Sequence, residues 1–245
     1  MIRLFTLPLV TGALLAVAPC ASAQSGGGAV AARREPHHHL AFEDATLRVL
    51  RVRVPPHDTT LLHEHAPDYF WIALGRSEVV NAKPGTPDAV IKSEDLSIHY
   101  TPGKFAHVAR NPGAKPFDNI TVELLGSQTH VRNLCEAALP GQPLACEGAT
   151  PRRGVNVRPA FMTDQLRVDL VELPAGKSLQ ASGKARAWLI ALDTADTRSR
   201  ASLVVHDGSG QWSGGVYRTS GAAWSVANRS QRPRRLIMVT ARGAH

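Results

Sequence analysis

LRVLRVRVPPHDTTL, residues 47–61, returns later in the chain as LRVDLVELPAGKSLQ, residues 166–180. Three further segments recur in the same order. WIALG at 71–75 matches WLIALD at 188–193 with a one-residue adjustment, and FAHVARN at 105–111 matches AAWSVANR at 222–229. NITVELL at 119–125 matches RLIMVTA at 235–241. Chance likeness between β-type segments rarely preserves order through four matches, so the chain contains one unit twice. The two copies are joined by residues 126–160.

Each copy reads as short strands broken by turn residues. Thr46 to Val54 alternates in part and stops at Pro55-Pro56, and Tyr69 to Leu74 is an apolar run closed by Gly75. Lys83-Pro84-Gly85, Pro102-Gly103 and Asn111-Pro112-Gly113 punctuate the segments that follow. Many short runs at this spacing, with almost no helical periodicity, predict an all-β barrel or sandwich.

The chemistry gathers in the first copy. His63-Glu64-His65 stands where a strand begins, and side chains at i and i+2 share one face of a strand. His107 lies on a later strand of the same copy. Neutral imidazoles converging from two strands suit zinc, copper, iron, nickel or manganese. The corresponding positions of the second copy are Ser182, Lys184 and Trp224. Lysine is a charged non-ligand at pH 7 and tryptophan only donates, so the second copy is expected to bind no metal in this way.

At these residues the sequence resembles the cupin superfamily. The first motif of that family, H-x-H followed by Glu and then Gly, corresponds to HEHAPDYFWIALG at 63–75. The second, P-x-G-x-x-H-x-x-x-N, corresponds to PGKFAHVARN at 102–111. Two departures stand out: position 69 is Tyr where the motif has Glu, and the glycine of the second motif falls at Gly103, leaving Lys104 in its usual place. The resemblance implies two tandem jelly-roll barrels, the second degenerate, with His63, His65 and His107 as ligands of one divalent transition metal ion. Asp68 is chosen as a fourth ligand, with Tyr69 as its rival by spacing. Asp68 or Glu64 is the candidate catalytic base. Cupins with such sites include dioxygenases, decarboxylases and isomerases; oxygen-dependent chemistry on a small organic substrate is favoured here. The alternative is a non-catalytic periplasmic protein that captures a metal or a small molecule. Phe70, Ile72, Leu74, Phe105 and Val108 would make the wall apolar if they face inward. His57 and His99 fit neither motif.

The N-terminus carries Arg3, an apolar stretch from Leu4 to Ala18, and Ala21-Ser22-Ala23 before Gln24. That pattern is a secretory signal cleaved after Ala23, giving a periplasmic or secreted protein with no transmembrane segment in the mature chain. Cys20 would fit a lipid anchor, but Pro19 before it argues against one. Cys135 and Cys146 remain after cleavage, and an even pair in an exported chain reads as a disulfide. Residues 24–39, Gly-rich and charged, read as a loose tether on which His37-His38-His39 is a solvated run. The expected units are therefore 40–126, a linker at 127–160, and 161–245.

The formal charge of +8 falls to +7 when residues 1–23 go, because Arg3 leaves and no acidic residue does. The basic residues are scattered and lack interleaved aromatics, which excludes nucleic acid as a partner. A small-molecule ligand or substrate is the expected partner, and a homodimer is left open.

Overall fold

In the computed structural model, which describes residues 28–146, 154–181, 185–193, 202–207, 210 and 212–242, the recurring octapeptides are equivalent strands. The first half contains β1 (Val30–Ala31), β2 (His38–Glu43), β3 (Leu47–Val54), β4 (His63–His65), β5 (Asp68–Ala73), β6 (Ser77–Ala82), β7 (Ala89–Ser93), β8 (Ile98–Thr101), β9 (Phe105–Arg110) and β10 (Phe117–Leu124). The second contains β11 (Arg132–Asn133), β12 (Asn156–Met162), β13 (Leu166–Leu173), β14 (Ser178–Ala181), β15 (Ala187–Ala191), β16 (Leu203–His206), β17 (Trp212–Ser213), β18 (Val216–Arg218), β19 (Trp224–Asn228) and β20 (Arg234–Ala241).

Each half is a pair of sheets closed around its own interior. The first pairs β2-β3-β10-β5-β8 with β1-β4-β9-β6-β7; the second pairs β11-β12-β13-β20-β15-β18-β17 with β14-β19-β16. The two halves share no sheet among the described residues. This is the all-β, tandem-barrel architecture that the repeat predicts.

Strand alternation assigns the buried apolar side chains of the paired central strands to one of two places. On β3, Leu47 and Val49 face the other half, while Leu50, Val52 and Val54 face the first barrel's interior. The equivalent strand β13 does the same, with Leu166, Val168 and Leu170 at the junction and Val171 and Leu173 inside. Phe70 and Ile72 of β5 and Trp188 and Ile190 of β15 join that junction, so the barrels are welded back to back by one continuous core. Polar links border it: the Trp188 indole N–H donates to Asp44 at 2.9 Å, and Arg235 pairs with Asp95 at 2.7 Å.

A buried asparagine marks equivalent points in the two copies. Asn111 donates to the carbonyl of Val54 at 3.0 Å, and Asn228 donates to the carbonyl of Leu173 at 2.9 Å. These anchors bear out the match of His107 with Trp224. The match of 119–125 with 235–241 needs a one-residue correction. Phe117 pairs with Val54 and Arg234 with Leu173, so Asn119 corresponds to Leu236 and Glu123 to Thr240. A slip of one residue exchanges the two faces of a strand, which decides what lines each interior.

The tether expectation is corrected from residue 28 onward. β1 runs parallel to β4, with Val30 opposite His63, and a 3₁₀ turn at Ala32–Arg34 leads toward β2. Ala32 and Glu35 are buried, and β2 pairs with β3 from His38, ahead of the expected start at residue 40. The segment is held by strand pairing and by these buried side chains. Within the expected linker, β11 and most of β12 are already strands of the second barrel's sheet. Cys135 and Cys146 are joined. The signal segment lies outside the described residues, and among those described no helix is long and apolar enough to cross a membrane.

Candidate metal centre

β4 and β9 pair in a register that places His63 opposite His107. His63 and His65 point inward and are 0% and 2% exposed, whereas Glu64 between them faces solvent. Glu64 is therefore no candidate base; alternation turns it away from the site. A further histidine, on the segment expected to be a tether, completes the group. His38 is buried at the start of β2, and ligand atoms of His38, His63 and His65 lie within 4.8 Å of one another. The His107 ring centroid is 4.4 Å from that of His63 and 5.6 Å from that of His65.

Every one of these imidazoles has an oxygen beside its Nδ1. His38 meets Glu35 at 2.6 Å, His63 the carbonyl of Leu61 at 2.9 Å, His65 Glu123 at 3.0 Å, and His107 the Asn81 side-chain oxygen at 2.8 Å. These oxygens accept, so each ring donates its Nδ1–H and leaves the Nε2 lone pair for another partner. The Nε2 atoms of His63 and His107 are buried and have no hydrogen-bond partner. An unsatisfied buried polar atom costs about 1–3 kcal/mol, a cost that a bound metal ion removes. The residues present thus fit a metal ion.

Burial favours the neutral form of His38, His63 and His107, the form that ligation requires. Burial, helped by the neighbouring His38, pushes His63 down to about 4. Burial and the other imidazoles push His107 down to about 2. Burial also lowers His38, against the opposing pull of Glu35. Glu123 is held below the usual carboxylate range: burial raises it, but His65 and Arg48 outweigh that.

Asp68 is placed elsewhere. Its two oxygens accept from the Tyr100 hydroxyl and, at 2.7 Å, from the Gly103 N–H, so it stabilises the turn between β8 and β9 and does not join the imidazoles. The family's glycine position is real: Lys104 has φ of 58°, in the left-handed region. Gly103 meets a separate demand, because a Cβ there would lie 2.4 Å from the carbonyl oxygen of Ala66. Tyr69 is the residue that faces the site, its ring stacked on His65 at 4.0 Å. Burial raises its hydroxyl pKa, so it stays protonated.

The expected apolar wall is also corrected. Phe70, Ile72 and Leu74 pack at the junction between barrels, and Val108 alternates away from His107. Phe105 does flank His107, at 5.0 Å between centroids. The actual lining is mixed, with Tyr69, Trp71 and Val79 beside Asn119 and Thr121, around a cavity of about 80 Å³. His99 stacks on Trp71 at 4.1 Å, and His57 is exposed in the turn after β3. His37 pairs with Asp58 at 3.5 Å and His39 is exposed.

Four residues went unforeseen: His38, Glu35, Asn81 and Glu123. Glu123 had a signal in Asn119-x-Thr121-x-Glu123, a polar face alternating with Ile120, Val122 and Leu124. Glu35 and His38 had only their spacing.

The second barrel fills the same space with carbon. Trp224, in the position of His107, is 5% exposed and packs in one cluster with Leu179, Val226, Leu236 and Met238. Ser182 and Lys184 lie outside the described residues.

Two largely antiparallel barrels, each carrying the same buried asparagine and one carrying H-x-H opposite a third histidine, define a tandem cupin fold. No protein-family model matches the sequence, and no curated protein does. Among solved structures, AerE from Microcystis aeruginosa aligns at 14% identity with a TM-score of 0.59, covering 85% of this chain and 94% of that one. Salicylate 1,2-dioxygenase from Pseudaminobacter salicylatoxidans aligns at 14% identity with a TM-score of 0.51, covering 80% and 71%. A cupin domain from Bordetella pertussis aligns at 18% identity with a TM-score of 0.35, covering 40% and 98%. At these identities the likeness is one of fold. The histidine cluster in the first barrel is a group that could hold a metal ion.

Proposed function

We propose that the chain is an exported, oxygenase-type enzyme holding one divalent transition metal ion in its first barrel and acting on a small organic substrate. The observation that carries this is the convergence of imidazoles whose Nδ1 atoms are each tied to an oxygen, two of them with buried, partnerless Nε2 atoms. His63, His65 and His107 hold the ion, and an all-nitrogen donor set suits zinc, copper, iron or nickel better than a hard cation. When bound, the ion offers Lewis acidity and open positions for oxygen or substrate.

The chain's own residues bind and orient. Glu123, pinned by Arg48, fixes the His65 ring and its proton. Tyr69 offers a protonated hydroxyl, and Asn119 and Thr121 on the neighbouring strand of the same sheet supply polar contacts. Glu64 and Asp68 are withdrawn as bases, since one faces solvent and the other holds a turn. The cavity of about 80 Å³ restricts the substrate. Small-molecule sites usually measure roughly 300–1,000 Å³, so a substrate of a few heavy atoms is favoured over an aromatic ring.

The same small cavity favours the second reading, capture of a metal without turnover. Oxygen uptake by metal-loaded protein, tested with short keto and hydroxy acids and with phenols, separates the two. Turnover with a short acid supports the enzyme reading; metal binding without uptake on any substrate leaves the binding protein. Export rests on the signal pattern and is compatible with the disulfide. It predicts a mature N-terminus at Gln24, and N-terminal sequencing that finds Met1 contradicts it.

A further inference from the structure

The segment before β2 lies outside both histidine motifs, yet it buries a carboxylate–imidazole pair against the metal site. The Glu35 side chain is 0% exposed and that of His38 is 4% exposed, with 2.6 Å between them. Glu35 also accepts from the backbone N–H of His37 at 2.8 Å and of Leu61 at 3.2 Å. It therefore grips the chain two residues before His63. β1 lies parallel along β4, and the Val30 N–H donates to the Leu62 carbonyl at 3.0 Å.

Two facts about this segment require an explanation. Its own pairing is slight, since β1 is two residues long and two-residue pairing contributes little stability in water. It nevertheless carries a carboxylate into the interior, and burying a charge is costly unless strong partners offset it. Glu35 and Glu123 bring two buried carboxylates to one imidazole cluster, and Arg48 contacts only Glu123 of the pair. A divalent cation among the rings would balance the excess negative charge. The Nδ1 of His38 is committed to Glu35, which leaves its Nε2 for that cation, and its ring centroid is 4.6 Å from that of His63.

We infer that His38, oriented by Glu35, is a fourth ligand of the metal, so that the metal fastens residues 28–38 to the ligand strand. This rests on the metal-site reading above. Binding and docking are then linked: whatever binds only the docked form stabilises it, and loss of the latch weakens metal binding in turn. The segment becomes a strap whose closure is set by metal occupancy.

The test uses full-length mature protein with Zn²⁺ as the probe, in wild type, His38→Ala, His38→Gln, Glu35→Gln and, as a control, His39→Ala. Zinc affinity is measured by chelator competition, and strap order by hydrogen exchange of the amides in 28–38. The copper(II)-loaded proteins are used to count coordinated imidazoles by pulsed electron paramagnetic resonance. The inference expects zinc to slow exchange in the strap of wild type and His39→Ala. It expects His38→Ala and His38→Gln to bind zinc at least about tenfold more weakly, Glu35→Gln to lie between, and one imidazole fewer to be counted without His38. In the His38 variants, strap exchange should be the same with and without zinc. Zinc affinity and metal-dependent protection unchanged in folded His38→Gln would overturn the inference while leaving the three-histidine site intact. No zinc or copper binding by wild type would remove the metal reading itself, and the inference with it.

Discussion

The two barrels begin from one scaffold and end with opposite interiors. β3 with β10 and β13 with β20 pair over the same eight positions, and the same asparagine closes both. On the inner face of β10 stand Asn119, Thr121 and Glu123; on β20 the same positions are Leu236, Met238 and Thr240. His107 of the first barrel corresponds to Trp224 of the second, and Tyr69, beside Glu123, corresponds to Ala187, beside Thr240. The outward faces keep an apolar patch in common, Leu47 and Val49 matching Leu166 and Val168, and Ile120 and Val122 matching Ile237 and Val239, because both form the junction that holds the barrels together. A site is thus confined to alternate residues of a few strands, and replacing them with carbon leaves a barrel that still folds. The second barrel keeps the architecture and lends the first a wall to pack on.

The sharpest way to break this contrast is at the ligands. His63→Ala or His107→Ala should lower metal affinity by on the order of 100-fold or more, read by metal titration, with the fold retained by circular dichroism. Trp224→Ala should do the reverse. Truncating this buried ring should cost about 3–5 kcal/mol in chemical denaturation and leave metal content unchanged. Glu123→Gln removes the charged partner of His65 and should weaken metal binding about 10–100-fold, with a modest effect on stability. Asp68→Ala should cost about 1–3 kcal/mol, because it strands the Tyr100 hydroxyl and the Gly103 N–H, while metal affinity stays at the wild-type value. Glu64→Gln should change neither stability beyond about 0.5 kcal/mol nor metal affinity.

Much of this was legible in the sequence. The repeat disclosed the tandem barrels because strand order survives divergence, and H-x-H disclosed two imidazoles on one face because alternation forces them there, with His107 meeting them across the β4–β9 pairing. What escaped depended on register and long-range docking. Asp68 looked like a ligand by proximity to His65, but Gly103 and Tyr100, remote in sequence, take both its oxygens. His38 looked solvated because the residues before it are small and Gly-rich. Yet β1 lies against β4, and nothing local reveals that Leu61 will meet Glu35. Phe70 and Ile72 looked like cavity wall until a second barrel claimed that face of β5.

The central claim is that one barrel binds a metal through histidines and the other binds none. Elemental analysis of protein loaded with a single transition metal and freed of excess tests it directly, run beside a variant with His63 and His107 both replaced by alanine and beside Trp224→Phe. One metal ion per chain in wild type and Trp224→Phe, with none in the double histidine variant, is the predicted result. Two ions per chain, or one ion retained without His63 and His107, would contradict it.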